Sequence, residues 1–258
     1  MALGYLLVRR PYVLAHRGAS AYAPENTLAA FERAVALQSD GIETDVRASR
    51  DGVLVLVHDE RVDRTTDGEG RVDELSFDEL QRLDAGRPFN PRFAGERVPT
   101  VEALLERYGG RLPLCLEVKQ VGVEERLVEL VRQRRLLQPL PSEDVAPREQ
   151  IALPPVSFTS FKLESCLALR QAAPEAMVGF LTSDFDDLTI KRVAEAKLAQ
   201  ICPRADACRA DRVLAARDRK LSVRAWGVSE REVLRDAVKA GVDGLTCNWP
   251  DWSLQPTR

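Results

Sequence analysis

His16 and His58 are the only histidines in a chain of 258 residues, so chemistry that needs an imidazole near neutral pH uses one or both of them. A three-histidine metal site is excluded on the same count. Each histidine closes a short apolar run, Tyr12-Val-Leu-Ala before His16 and Val53-Leu-Val-Leu-Val before His58. Two further runs carry charge late in their length. Glu43 and Asp45 sit in Gly41-Ile-Glu-Thr-Asp-Val46, and Glu117 and Lys119 in Leu114-Cys-Leu-Glu-Val-Lys119. Residues two apart on a strand project to the same face. Glu43 therefore points with Asp45, and Glu117 with Lys119.

Three carboxylates brought together repel one another and are costly to desolvate. A hard divalent cation with oxygen ligands removes that cost, which makes Ca2+ or Mg2+ the natural partner of Glu43, Asp45 and Glu117. The five cysteines form no C-x-x-C pair, which speaks against structural zinc. Two imidazoles, a cation, and the side chains of Arg17 and Lys119 are equipment for attack on an anionic phosphoester. Two plainer arrangements use the same residues: Arg17 bracing a carboxylate, and Glu117 with Lys119 as an internal ion pair.

To converge, these residues need strands that end side by side. Apolar runs at 12–16, 41–46, 112–118, 156–158, 177–181, 200–202, 222–226 and 244–246 alternate with segments of helical period. Alternation of strand and helix implies a parallel sheet. Eight units at this length favour a closed barrel, the TIM (β/α)8 fold, over a doubly wound open sheet. The active site of such a barrel lies at the carboxyl ends of its strands, where His16, Glu43, Asp45, His58, Glu117 and Lys119 all fall. A helix is expected over 26–38 with Asn26 as its N-cap, and others over 123–135, 164–172, 188–196, 207–219 and 230–240. Asp51-Gly52 marks a tight turn, with 53–57 running back in a hairpin-like connection. Residues 61–99 are polar and glycine-rich, carry one helical piece near 77–83, and read as an insertion over one end of the barrel. The proline-rich stretch 139–155 reads as a surface loop. The whole chain, 1–258, reads as one domain with that insertion.

Composition narrows the rest. With 37 Lys plus Arg against 40 Asp plus Glu, the net charge of −3 makes no case for nucleic acid. An odd number of cysteines suits free thiols in a reducing compartment. No secretory signal or membrane-spanning stretch is visible, so a cytoplasmic protein is expected. Oligomeric state is left open.

The stretch His16-Arg-Gly-Ala-Ser-Ala-Tyr-Ala-Pro-Glu-Asn-Thr27 resembles the signature of the glycerophosphodiester phosphodiesterases. Glu43-Thr-Asp45, Val57-His58-Asp59, Arg64-Thr-Thr66 with Gly68 and Gly70, Pro99-Thr100 and Leu116-Glu-Val-Lys119 resemble that family in order and spacing. The likeness runs from about Tyr12 to Asp251 and is strongest before Lys119. It implies a TIM barrel that uses a metal to hydrolyse glycerophosphodiesters to glycerol 3-phosphate and an alcohol. It carries His16 and His58 over as the acid–base pair, Glu43, Asp45 and Glu117 as metal ligands, and Arg17 and Lys119 as phosphate contacts. By its place on the seventh strand, Trp226 would line the pocket. The same residues would serve a phospholipase D-like or C-like enzyme acting on a lysophospholipid or phosphoinositide. A catalytically inactive binding barrel is a further alternative, although such proteins usually lose a histidine or a carboxylate. One departure stands near the C-terminus, where Gly241-Val-Asp-Gly-Leu-Thr-Cys-Asn248 carries Asn248 in place of the family's usual acid.

Overall fold

In the computed structural model, residues 6–8, 10–138 and 151–254 are described. The strands among them are β1 (Leu6–Val8), β2 (Tyr12–His16), β3 (Gly41–Ala48), β4 (Leu54–Leu56), β5 (Leu114–Val118), β6 (Ile151–Leu153), β7 (Val156–Ser160), β8 (Met177–Thr182), β9 (Gln200–Pro203), β10 (Ser222–Val228) and β11 (Gly244–Cys247). The helices are α1 (Leu28–Ala36), α2 (Phe77–Leu80), α3 (Val101–Tyr108), α4 (Glu124–Gln133), α5 (Leu163–Ala172), α6 (Asp187–Glu195), α7 (Ala210–Arg217) and α8 (Arg231–Lys239).

Strands β2, β3, β5, β7, β8, β9, β10 and β11 pair in parallel in that order, and β11 pairs back onto β2. The ring is a closed eight-stranded barrel with helices between its strands, as the alternation of strand and helix predicts. Burial follows the pleat. Val13 and Ala15 of β2, Ile42 and Val46 of β3, and Leu114, Leu116 and Val118 of β5 join the large core between sheet and helices. Tyr12, Leu14 and Cys115 turn the other way and form a small plug with Leu153 inside the barrel. Above that plug the inward positions become polar, at His16, Glu43, Asp45 and Glu117.

The expected helix after β2 is present but shorter at both ends, and its cap is not Asn26. Thr27 takes that place, its hydroxyl accepting the Ala30 amide, while Asn26 is buried at a φ of 57°. Thr27→Ala is expected to lower stability by about 1 kcal/mol through the lost cap, read as a shift in the urea midpoint. An unchanged midpoint would show that the cap does not support the helix. Helix α3 was not foreseen, although its signals are in the sequence. Thr100 caps it, and Val101, Leu104, Leu105 and Tyr108 repeat with helical period and are buried.

Residues 53–57 run back as expected, with β4 antiparallel to the end of β3 and Val46 opposite Leu56. The insertion that follows has a core of its own, in which Val55, Val57, Val62, Val72, Leu80, Ala85 and Val98 are buried. Its helical piece is only Phe77–Leu80, closed at its start by a capping box between Ser76 and Glu79. Because β4 hangs from the carboxyl end of β3, the insertion stands at the mouth where the polar positions lie. Of the stretch read as a loop at 139–155, residues 139–150 lie outside the described residues. Ile151–Leu153 is a strand, paired antiparallel with Leu6–Val8.

Candidate active site

Strand register decides which side chains meet. His16 stands opposite Glu43 across β2 and β3, and Asp45 stands opposite Glu117 across β3 and β5. One ligand oxygen each from Glu43, Asp45 and Glu117 lies within 4.8 Å of the others, and all three residues are buried. His16 lies beside them, its Nε2 at 3.9 Å from Glu43 Oε2. His58 enters the same mouth from the segment that joins β4 to the insertion.

Both imidazoles are held through Nδ1. Asn248 Oδ1 accepts from His16 Nδ1 at 2.6 Å, and Asp59 Oδ1 accepts from His58 Nδ1 at 2.6 Å. Each contact puts a proton on Nδ1, which leaves Nε2 as the nitrogen able to accept one. Desolvation, followed by the Arg17 charge, pushes the His16 pKa down to about 4. Burial likewise lowers that of His58.

Two cations are packed into the acidic group. Lys119 Nζ is 3.3 Å from Asp45 Oδ1 and forms an ion pair with Glu117. Arg17 Nε is 3.1 Å from Asp45 Oδ2, and the Arg17 backbone amide donates to Glu43 Oε2 at 3.1 Å. That amide is aimed by a turn in which Arg17 and Gly18 both have positive φ, 54° and 77°. A β-carbon on Gly18 would fall 2.6 Å from the Ala30 backbone carbon, so the turn requires glycine. Burial opposes ionisation of Asp45, but Lys119 and Arg17 outweigh it and hold its pKa below the usual carboxylate range. For Glu43 and Glu117 burial dominates, the Asp45 charge adds to it, and both pKa values rise.

Oxygen atoms in this group suit a hard cation. Glu43 Oε1 is buried without a hydrogen bond, and Asp45 Oδ1 and Glu117 Oε1 meet only the Lys119 ammonium. Three converging carboxylates, one with a buried oxygen left without a partner, are a donor set that suits calcium or magnesium.

Two imidazoles beside an acidic group in a barrel mouth are the arrangement that the resemblance implies, and comparison with known proteins shows the family. Residues 16–252 match the Glycerophosphoryl diester phosphodiesterase family. The chain belongs to that family. Its members are phosphoric diester hydrolases, and so is this chain. It is 33% identical over 252 residues to the glycerophosphodiester phosphodiesterase of Caldanaerobacter subterraneus, covering 95% of this chain and 97% of that one. The corresponding figures for the glycerophosphodiester phosphodiesterase of Bacillus subtilis are 30% over 258 residues, 94% and 85%. A glycerophosphodiester phosphodiesterase structure from Agrobacterium tumefaciens aligns with a TM-score of 0.77 at 31% identity, covering 94% of this chain and 98% of that one. A phosphodiesterase from Oleispira antarctica, in complex with its product sn-glycerol-3-phosphate, aligns with a TM-score of 0.79 at 27% identity and 94% of each chain.

Within this family member, all eight residues singled out from the sequence lie at the carboxyl ends of barrel strands or on the adjoining insertion. Arg17 and Lys119 are ion-paired with carboxylates here, which is the plainer arrangement that sequence reasoning kept open. Trp226 lies at the end of β10, edge-on to Phe161 at 5.0 Å, and the Phe161 ring is 5.6 Å from Lys119 Nζ.

Sequence reasoning missed several supports of the site. Asn26 Nδ2 donates to Asp45 Oδ2 at 2.9 Å, and its Oδ1 accepts from the Thr44 hydroxyl at 2.7 Å. Asn248, noticed only as a departure, holds His16. Arg224 is buried in the barrel interior, bonded to Gln200, Thr246 and Cys202, and its charge favours the ionised form of Glu43. Among the described residues no helix is long and apolar enough to cross a membrane.

Proposed function

We propose that the chain hydrolyses soluble glycerophosphodiesters to glycerol 3-phosphate and an alcohol, with Ca2+ or Mg2+ held by Glu43, Asp45 and Glu117. The observation that carries this reading is the convergence of those three carboxylates in the barrel mouth beside two imidazoles that are both tethered at Nδ1. When bound, the cation would offset the negative charge that gathers on the phosphoryl oxygens in the transition state.

His16 and His58 form the acid–base pair. One Nε2 takes the proton from the attacking hydroxyl, and the other gives a proton to the oxygen that leaves with the alcohol. The attacking group is either water or a hydroxyl of the glycerol moiety. In the second case a cyclic phosphate forms, and water opens it with the two histidines in exchanged roles. Arg17 and Lys119 bind the non-bridging phosphate oxygens, and Trp226 lines the pocket. The turn that positions the Arg17 amide also fixes Glu43, so the cation site and the phosphate site share one piece of backbone.

The chain works as one domain, 1–258, with residues 61–99 as a cap and His58 on the segment that leads into it. Five buried free thiols support a reducing compartment and thus the cytoplasm. A substrate panel tests the function. With calcium or magnesium added, glycerophosphocholine or glycerophosphoethanolamine is expected to release glycerol 3-phosphate, measured by coupled oxidation of that product. Turnover confined to lysophospholipid would contradict the reading and favour a phospholipase-like enzyme.

A further inference from the structure

Glu25 has no part in the acid–base pair or the acidic group, yet two arginines meet on it. Arg17 Nη1 donates to its Oε1 at 2.8 Å. Arg64, reaching over from the insertion, donates through Nη2 to Oε1 and through Nη1 to Oε2, each at 2.8 Å. The third donor of Arg64, Nε, bonds Asp59 Oδ2 at 2.6 Å, and the other oxygen of Asp59 is the one that His58 Nδ1 contacts at 2.6 Å. On the far side Arg17 reaches Asp45. An unbroken chain of hydrogen bonds and ion pairs thus runs from His58 through Asp59, Arg64, Glu25 and Arg17 to Asp45.

We propose that Arg64, fixed by its two-pronged grip on Glu25, is a positioning residue that orients Asp59 and, through it, the His58 imidazole. The proposal rests on the acid–base role given to His58 above. The Asp59 side chain is 34% exposed, so water competes for it, and a carboxylate held at one oxygen swings about its own side-chain bonds. With Oδ1 on His58 and Oδ2 on Arg64, that rotation is blocked. The planar guanidinium suits the task because its fork grips Glu25 while Nε remains for Asp59. A lysine ammonium has no such geometry. The insertion is thereby locked to the β2–α1 loop at the point where His58 must meet the site.

The test is steady-state kinetics of Arg64→Met, Arg64→Lys, Asp59→Asn and the Arg64→Met/Asp59→Asn double variant on glycerophosphocholine with added cation. Arg64 is half exposed, and a thermal melt of each variant checks that it folds. Arg64→Met is expected to lower kcat about 10- to 100-fold, the range for losing a partner that orients a site residue, with KM changed less than about threefold. Arg64→Lys should recover part of kcat. The double variant should be no slower than Asp59→Asn alone, because both substitutions break one chain. Wild-type kcat in folded Arg64→Met, losses that multiply in the double variant, or a rise in KM at constant kcat would overturn the proposal. An unmodified protein that hydrolyses no glycerophosphodiester would overturn the hydrolase reading beneath it instead.

Discussion

Alanine at His16 or at His58 is expected to lower kcat by about 10²- to 10⁴-fold, the usual contribution of one positioned acid or base. The two substitutions should leave KM much less affected, because neither imidazole is assigned to hold the phosphate. Their environments support separate duties. His16 is tied to a neutral amide at Asn248, whereas His58 is tied to the Asp59 carboxylate. A carboxylate partner stabilises an imidazolium more than an amide does, so the two rings differ in how readily each carries its second proton. With no other histidine in the chain, no third imidazole can substitute. Near wild-type turnover in either variant, with the fold intact by circular dichroism, would show that histidine to be structural.

Asp45→Asn is expected to be as damaging, at about 10³-fold or more in kcat, equivalent to several kcal/mol of transition-state stabilisation. Asp45 is completely buried and sits at the centre of the group, meeting Lys119, Arg17 and Asn26. The amide keeps the shape but removes the charge, so Arg17 and Lys119 are left without their shared counter-ion and the proposed cation would lose a ligand. Calorimetric titration with calcium or magnesium should show weaker binding by Asp45→Asn than by the unmodified protein. Equal binding and equal turnover would remove Asp45 from the site.

Much of this was legible in residue types alone. The outward Ile42, Val46, Leu116 and Val118 and the inward Glu43, Asp45 and Glu117 follow from a period of two, and period two is visible in any strand. The clustering of His16 and His58 was legible because strand ends in a parallel barrel share one mouth. Asn26 was misread because a capping residue and a residue at positive φ draw on the same amino-acid types, and only the backbone tells them apart. Arg17 and Lys119 were ambiguous for a different reason: a cation near three carboxylates suits either a phosphate or a carboxylate, and spacing does not choose. Arg224 was hidden because one arginine in a strand looks like any edge residue until the barrel closes around it. Glu25 and Arg64 come together only through the packing of the insertion on the barrel, across 39 positions of sequence.

The proposed function stands on this acidic group and these two histidines acting together on a glycerophosphodiester with a bound divalent cation. Its most direct test is the release of glycerol 3-phosphate from glycerophosphocholine by protein stripped with EDTA, dialysed, and titrated with calcium or magnesium. The stripped protein is expected to show no release above the uncatalysed rate, with saturable recovery as one of the two cations is returned. Undiminished release in excess EDTA would contradict it.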